Sequence, residues 1–170
     1  MFEIKSDRLV RNIAILLILI SNIGCDQISK NAIRAHVGFY ETISVIKNVF
    51  TITYVENSGA FLSIGSSLPY KSKVIFLCII PLIVLFFGVA YILMKKNLTL
   101  MSALALSFAI GGGIGNIYDR LIHGSVTDFL HINFGIFQTG IFNMADVSIM
   151  TGMLIFFIQS YSRQKARMLR

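Results

Sequence analysis

The chain has 170 residues, 55% of them hydrophobic and only 14% charged, with a formal net charge of +7. Soluble domains run nearer about 25% charged, so the composition excludes an ordinary soluble domain and predicts a single integral membrane domain. The basic excess does not point to nucleic acid, because Lys and Arg form short clusters at the ends of apolar runs and no continuous stripe.

The first apolar run, from Ile13 to Gly24, follows Lys5, Arg8 and Arg11. A basic start, a short apolar core and Cys25 share the outline of a lipoprotein signal peptide. Against that, Asn22 stands three residues before Cys25, polar helix-compatible sequence continues through Asp26-Gln-Ile-Ser-Lys30, and three more membrane-length segments follow. The expectation is a retained helix over 10–28, since a span takes about 20 residues.

Residues 31–72 mix polar and apolar positions. Val-Phe-Thr-Ile-Thr-Tyr-Val at 49–55 is β-branched and aromatic and predicts a strand. Glu56-Asn-Ser-Gly59 reads as turn chemistry that ends it. A second span over 73–94 closes at Lys95-Lys96 and contains Pro81, a kink that bundled membrane helices tolerate. A third covers 98–117. Residues 119–140 form a second extramembrane stretch with short strands at 125–132 and 133–137. A fourth span over 141–161 precedes Arg163, Lys165, Arg167 and Arg170.

With four spans, the basic N-terminal flank, the 95–97 turn and the C-terminal flank share one side, which the positive-inside rule makes cytoplasmic. Both termini are then cytoplasmic and the 31–72 and 119–140 loops lie outside, with Lys71 and Lys73 as mild exceptions. This topology gathers Asp26, Asn57, Asp119, Arg120, Asp128, Asn143 and Asp146 at one membrane face. Cys25 and Cys78 lie in apolar sequence without metal-ligand spacing and read as buried, inert thiols. His36, His123 and His131 match no metal-site pattern.

Carboxylates in membrane-length apolar sequence are costly and need a partner, a proton or a role. Asp128 and Asp146 read as a pair. Two close carboxylates sharing one proton can activate a water and polarise an amide carbonyl, because like charges in contact cannot both ionise cheaply. Spacing alone also allows a solvated loop residue and a helix N-terminal charge. Gly111-Gly-Gly-Ile-Gly-Asn116 fits close helix packing, and no Gly-Lys-Ser or Gly-Lys-Thr follows to make a phosphate loop. Asn116, Asp119 and Arg120 share a helix face and suit a polar brace. Asp26 and Lys30 stand i, i+4 and read as an interfacial ion pair or as support for the active face. Asn57, just before Ser58-Gly59, caps a turn or reaches the site. Met144, Met150, Met153, Phe156 and Phe157 read as packing or lipid contacts.

Five blocks in order resemble lipoprotein signal peptidase, also called signal peptidase II: Asp26-Gln-Ile-Ser-Lys30, Asn57-Ser-Gly-Ala60, Gly111 through Arg120, Gly124-Ser-Val-Thr-Asp-Phe129 and Phe142-Asn-Met-Ala-Asp146. The resemblance implies a bacterial aspartic peptidase, a polytopic α-helical membrane protein with four transmembrane helices and a small extracytoplasmic β-cradle, the 31–72 loop adding a small helix. It implies cleavage just before the lipobox cysteine of diacylglyceryl-modified prolipoproteins, in the bacterial cytoplasmic membrane. Asp128 and Asp146 match the catalytic dyad. Asp26, Lys30, Asn57, Gly59, Asn116, Asp119, Arg120 and Asn143 match supporting and substrate-binding positions. No metal or organic cofactor and no nucleic acid is expected. Membrane lipid, a monomeric state and inhibition by cyclic peptides of the globomycin type are. One block departs from the common pattern: Phe61 and Leu62 follow Ala60 directly, where a second small residue usually comes first. Two rival classes remain: a small transporter, which predicts carboxylates near the midplane of several spans, and a scaffold, which requires neither aspartate.

Overall fold

The structure, a computed structural model, describes residues 3–60 and 63–168. Its elements are α1 (Glu3–His36), β1 (Thr42–Ile46), β2 (Phe50–Asn57), α2 (Tyr70–Met94), α3 (Leu100–His123), β3 (Val126–Ile132) and α4 (Met144–Met168). Each helix contains a stretch long and apolar enough to cross a membrane. Leu17, Ile20, Phe86, Phe87, Leu154 and Phe157 are among the large side chains they turn outward. Such outward apolar surface suits a lipid solvent, where helices have no need to hide it.

Three of the helices extend past the C-terminal ends of the predicted spans, while α3 and α4 start at 100 and 144, after the expected 98 and 141. Hydropathy marks only the apolar part, whereas α1 continues through the polar Asp26–Lys30 turn to His36 and α3 continues through Asp119 and Arg120 to His123. Thr99 caps α3, its side chain accepting from Ser102 N, and Gly124 ends it in the left-handed region at φ 79°. Within α2, a wider π-type turn over Val74–Ile79 immediately precedes Pro81. Proline has no N–H for the ladder, and the wider turn accommodates that loss.

Small residues decide how closely α3 meets its neighbours. A Cβ on Gly112 would clash with the Ala145 carbonyl of α4, and one on Gly152 with the Ala105 carbonyl of α3. Ile15, Leu19, Ile92, Ala103 and Ile110 form the apolar core between α1, α2 and α3. At the bundle end away from the sheet, Arg11 donates to the carbonyls of Lys95 (2.9 Å) and Lys96 (3.2 Å). Gln159 there joins α4 to Ser102 and Thr99.

The strands form one antiparallel sheet in the order β1-β2-β3. Glu56 pairs with Thr127 and Val55 with Asp128, beyond a bulge between Ile52 and Val55. β1 is absent from the sequence expectation, and it is exposed along its whole length. The strand expected at 133–137 is instead a turn, bridged from Asn133 to Gln138 and closed by Phe134 N donating to Phe137 O at 2.7 Å. Glu56 and Asn57, expected in a turn, finish β2 because they pair with β3. Among the described residues from 58 to 69, Ser63 is in 3₁₀ helix and 64–67 form turns, in the loop where the resemblance implied a small helix. Phe61 and Leu62, the departure from the common pattern, lie outside the described residues. Both cysteines are free, and Cys25 faces outward where a buried thiol was expected, because α1 turns its Asp26 and Lys30 face inward instead.

The glycine contacts yield a paired prediction. Gly112→Ala, which drives a methyl into a backbone carbonyl, lowers stability by about 1–3 kcal/mol. Gly24→Ala, with nothing within 4 Å of the added methyl, is neutral or slightly stabilising. Thermal unfolding of the two purified variants in one detergent separates these outcomes.

Candidate active site

Lys30 is the first fixed point. One helical turn after Asp26, its Nζ donates to Asp26 Oδ2 at 2.8 Å, donates to Asn116 Oδ1 at 2.9 Å, and pairs with Asp119 Oδ2 at 3.0 Å. Lys30, Asp26 and Asp119 are all fully buried. The pair read as interfacial therefore lies inside the protein. Gly115 permits this, since a Cβ there would stand 2.5 Å from Asp26 Oδ2. The remaining carboxylate oxygens are used as well. Asp26 Oδ1 accepts from Ala145 N at 2.9 Å in the first turn of α4. Asp119 accepts from Thr127 N at 3.3 Å and from Gln27 Nε2 at 3.1 Å, and pairs with Arg34 at 3.2 Å.

The start of α4 is a reciprocal cap. Asp146 N donates to Asn143 Oδ1 at 3.0 Å, and Asn143 N donates to Asp146 Oδ2 at 3.2 Å. The two residues stand three apart, the spacing at which an N-cap and an N3 acid satisfy each other's orphan donors. Asn116 Nδ2 donates to the other Asp146 oxygen at 2.9 Å. Asp146 is thus held as an acceptor at the positive end of a helix.

Asp128 stands on β3 and is only 5% exposed. Asn143 Nδ2 donates to its Oδ1 at 2.6 Å and Asn57 Nδ2 to its Oδ2 at 3.0 Å. Burial pushes the Asp128 carboxyl up to about 6, and the charge of Asp146 adds to that. The Asn57 and Asn143 donors and the positive charge of Lys30 act the other way without cancelling it. Asn143 is therefore bonded to both aspartates.

Asp128, Asp146, Asn57, Asn116, Arg120 and Asn143 line a cavity of about 520 Å³. Ile141, Ile149, Met150 and Met153 make its apolar wall, so two methionines read as packing contribute to the cavity. Arg120 donates to Asn116 O at 3.2 Å and to Gly59 O at 2.8 Å, and its Nε is buried without a partner. Asn57 lines the cavity and also closes a turn, its Oδ1 accepting from Gly59 N at 2.9 Å. Gly59 lies where the loop folds back; a Cβ would come within 2.6 Å of the Ser63 backbone.

All ten candidate residues fall in this one connected set. The sequence reading missed Glu56 and Arg34, and gave Gln27 no role of its own. Glu56 accepts from Ser125 Oγ at 2.5 Å, Thr127 Oγ1 at 2.7 Å and Tyr54 at 3.1 Å, clamping β2 to β3 behind Asn57 and Asp128. Its partners on β3 lie about seventy positions away, and no local pattern signals them. Among the described residues, no group of three or more His, Cys, Asp and Glu is arranged to hold a metal ion.

The family described as Signal peptidase (SPase) II matches residues 15–162. The lipoprotein signal peptidase of Borrelia duttonii is 37% identical over 162 residues, covering 92% of each chain. That of Syntrophus aciditrophicus is 30% identical, over 84% of this chain and 88% of its own. A bacterial membrane enzyme solved by the in meso method at 2.3 Å superposes with a TM-score of 0.77, at 28% identity and 89% coverage of both chains. A second, solved at 1.9 Å, gives 0.72 at 26% identity, covering 86% of this chain and 91% of its own.

Two predictions come from the charges. Lys30→Met leaves Asp26 and Asp119 buried without their shared cation and costs about 3–5 kcal/mol, read as a lower unfolding temperature in detergent. Arg34→Met, at a partly exposed pair, costs less. The second concerns pH. A carboxyl raised on folding binds more protons folded than unfolded, so its contribution is complete below its ordinary value of 3.8 and is lost as pH rises through about 6. Between these values, Asp128→Asn flattens the decline seen in wild type, as unfolding temperatures measured across the range will show.

Proposed function

The chain belongs to the signal peptidase II family, and we propose that it removes the signal peptide of diacylglyceryl-modified prolipoproteins by paired-aspartate catalysis, cutting just before the lipidated cysteine. It is a peptidase in a multi-pass membrane protein. The observation that carries the mechanism is the unequal setting of two carboxylates in one cavity. Asp128 is buried and raised to about 6, whereas Asp146 is capped at a helix N-terminus and accepts from Asn116 and Asn143. Environments that separate two acids assign them different roles.

In this cycle Asp128 is assigned the shared proton and Asp146 the role of base. Asp146 takes a proton from water as the water oxygen attacks the scissile carbonyl carbon. Asp128 gives its proton to the carbonyl oxygen, which forms a tetrahedral diol. As the C–N bond breaks, the proton on Asp146 passes to the leaving nitrogen, and Asp128 recovers a proton from a hydroxyl of the diol. Both carboxyls then return to their starting states. Asn143 keeps both aspartates in register, and Arg120 in the cavity wall holds the Asn116 and Gly59 carbonyls in place. The apolar wall suits a substrate entering from lipid. The proposed orientation sets both termini in the cytoplasm, with the sheet and the dyad at the extracytoplasmic face.

The test is cleavage of a diacylglyceryl-modified prolipoprotein by the purified protein in lipid, followed by gel shift and by mass of the product. Wild type cuts before the modified cysteine. Folded Asp128→Asn and Asp146→Asn each lose on the order of 10⁴ in kcat. Full activity in either variant returns that aspartate to a structural role. An uncut substrate with folded wild type removes the peptidase chemistry itself.

A further inference from the structure

We propose that the turn carrying Phe134, Ile136 and Phe137 is a membrane anchor, seated at the boundary between headgroups and acyl chains of the leaflet on the sheet side. This turn joins β3 to α4 and presents the three side chains 66%, 90% and 72% exposed. From 129 to 145 the sequence carries no Asp, Glu, Lys or Arg. An uncharged apolar tip of this kind on a soluble face would be an association hazard. Beside four membrane-length helices it has an obvious solvent, provided that it reaches the bilayer.

The stretch that follows the tip runs beside one of those helices. Gln138 to Phe142 and the α4 residues Val147, Met150, Thr151 and Leu154 line one apolar groove of about 700 Å³. Leu154 lies ten residues into α4, about 15 Å along a helix rising 1.5 Å per residue. The stretch from Gln138 to Phe142 therefore borders the membrane-length helix α4, and the tip just before it is placed by the proposal at the same level. The same groove shares Ile141, Asp146 and Met150 with the catalytic cavity, so the stretch that follows the anchor borders the site.

The backbone is prepared for a poorly hydrated setting. Irregular chain is costly near lipid unless its polar groups are satisfied internally. Here Phe134 N donates to Phe137 O at 2.7 Å, and Gly135 N to Asn133 Oδ1 at 2.8 Å. Asn133 N donates to Val49 O at 2.7 Å and Thr139 N to Ile132 O at 2.9 Å. Amphipathic elements seat about 5–10 Å into this boundary, a depth that a four-residue turn can occupy. The placement does not depend on the peptidase chemistry.

The chain has no tryptophan, so one substitution makes a selective probe. Ile136→Trp, in the full chain in bilayers, is compared with Lys47→Trp on the exposed β1–β2 turn and Phe157→Trp on the outward side of α4. Phe137→Trp replaces the first variant if that one folds poorly. The anchor predicts emission blue-shifted from that of Lys47→Trp. It also predicts stronger quenching by lipids brominated near the headgroup end of the acyl chain than by those brominated near the methyl end. Water-like emission unaffected by brominated lipid overturns the proposal. So does blue-shifted emission that brominated lipid leaves unchanged but that reverts when the protein is diluted into more lipid, because a second copy then covers the tip.

Discussion

The buried ammonium of Lys30 is the interaction on which the rest of the architecture depends. It joins Asp26 on its own helix to Asn116 and Asp119 on α3, with both acids wholly shielded from solvent. Each acceptor then holds something further. Asp26 takes the Ala145 amide and so fixes the first turn of α4. Asp119 takes the Thr127 amide and so fixes β3 immediately before Asp128. Asn116 donates to Asp146. One cation therefore sets the positions of both elements that carry Asp128 and Asp146. Such a centre is stable only when every lone pair and proton is used, because each uncompensated charge in a low dielectric is costly.

Asymmetry between the two aspartates follows from where each is attached. Asp146 belongs to a helix start, where orphan amides and the macrodipole favour an anion. Asp128 belongs to a strand closed over by β2, where burial opposes its charge. Asn143 and Asn57 prevent that burial from leaving an unsatisfied group. Glu56 does not line the cavity, yet its clamp on Ser125 and Thr127 keeps β2 beside β3 and thereby keeps Asn57 on Asp128.

The parts legible in the sequence are those governed by local period and hydropathy. Four apolar runs mark four helices, and the i, i+4 spacing of Asp26 and Lys30 puts them on one face. Burial of that pair was not legible, because it depends on Gly115, nearly ninety positions away, lacking a side chain. β1 escaped notice because it is short, exposed throughout and supported on one side only. The β-branched run at 49–55 signalled β2, but where the strand ends depends on pairing with β3, which local turn chemistry does not report. The segment 133–137 has strand-like composition and becomes a turn, since Gly135 takes a positive φ of 80° and the chain bridges back to Gln138. Glu56 lacked any local sign, as its partners on β3 lie about seventy residues further along.

The distribution of polar groups along the bundle also bears on which chemistry it suits. A proton pathway through four helices would need ionisable or hydrogen-bonding groups in succession across the apolar thickness. Here the carboxylates of the spans lie at the sheet end: Asp26 before the last turns of α1, Asp119 near the end of α3 and Asp146 at the start of α4. Toward the other end of the bundle the core is Ile15, Leu19, Ile92, Ala103 and Ile110, with Ser107 bonded back to its own helix through Ala103 O. That arrangement gives one polar chamber on an apolar stem. A chamber of this kind combines carboxylates and amides with an isoleucine and methionine wall, the polar and apolar surfaces that hydrolysis of a membrane-borne peptide requires.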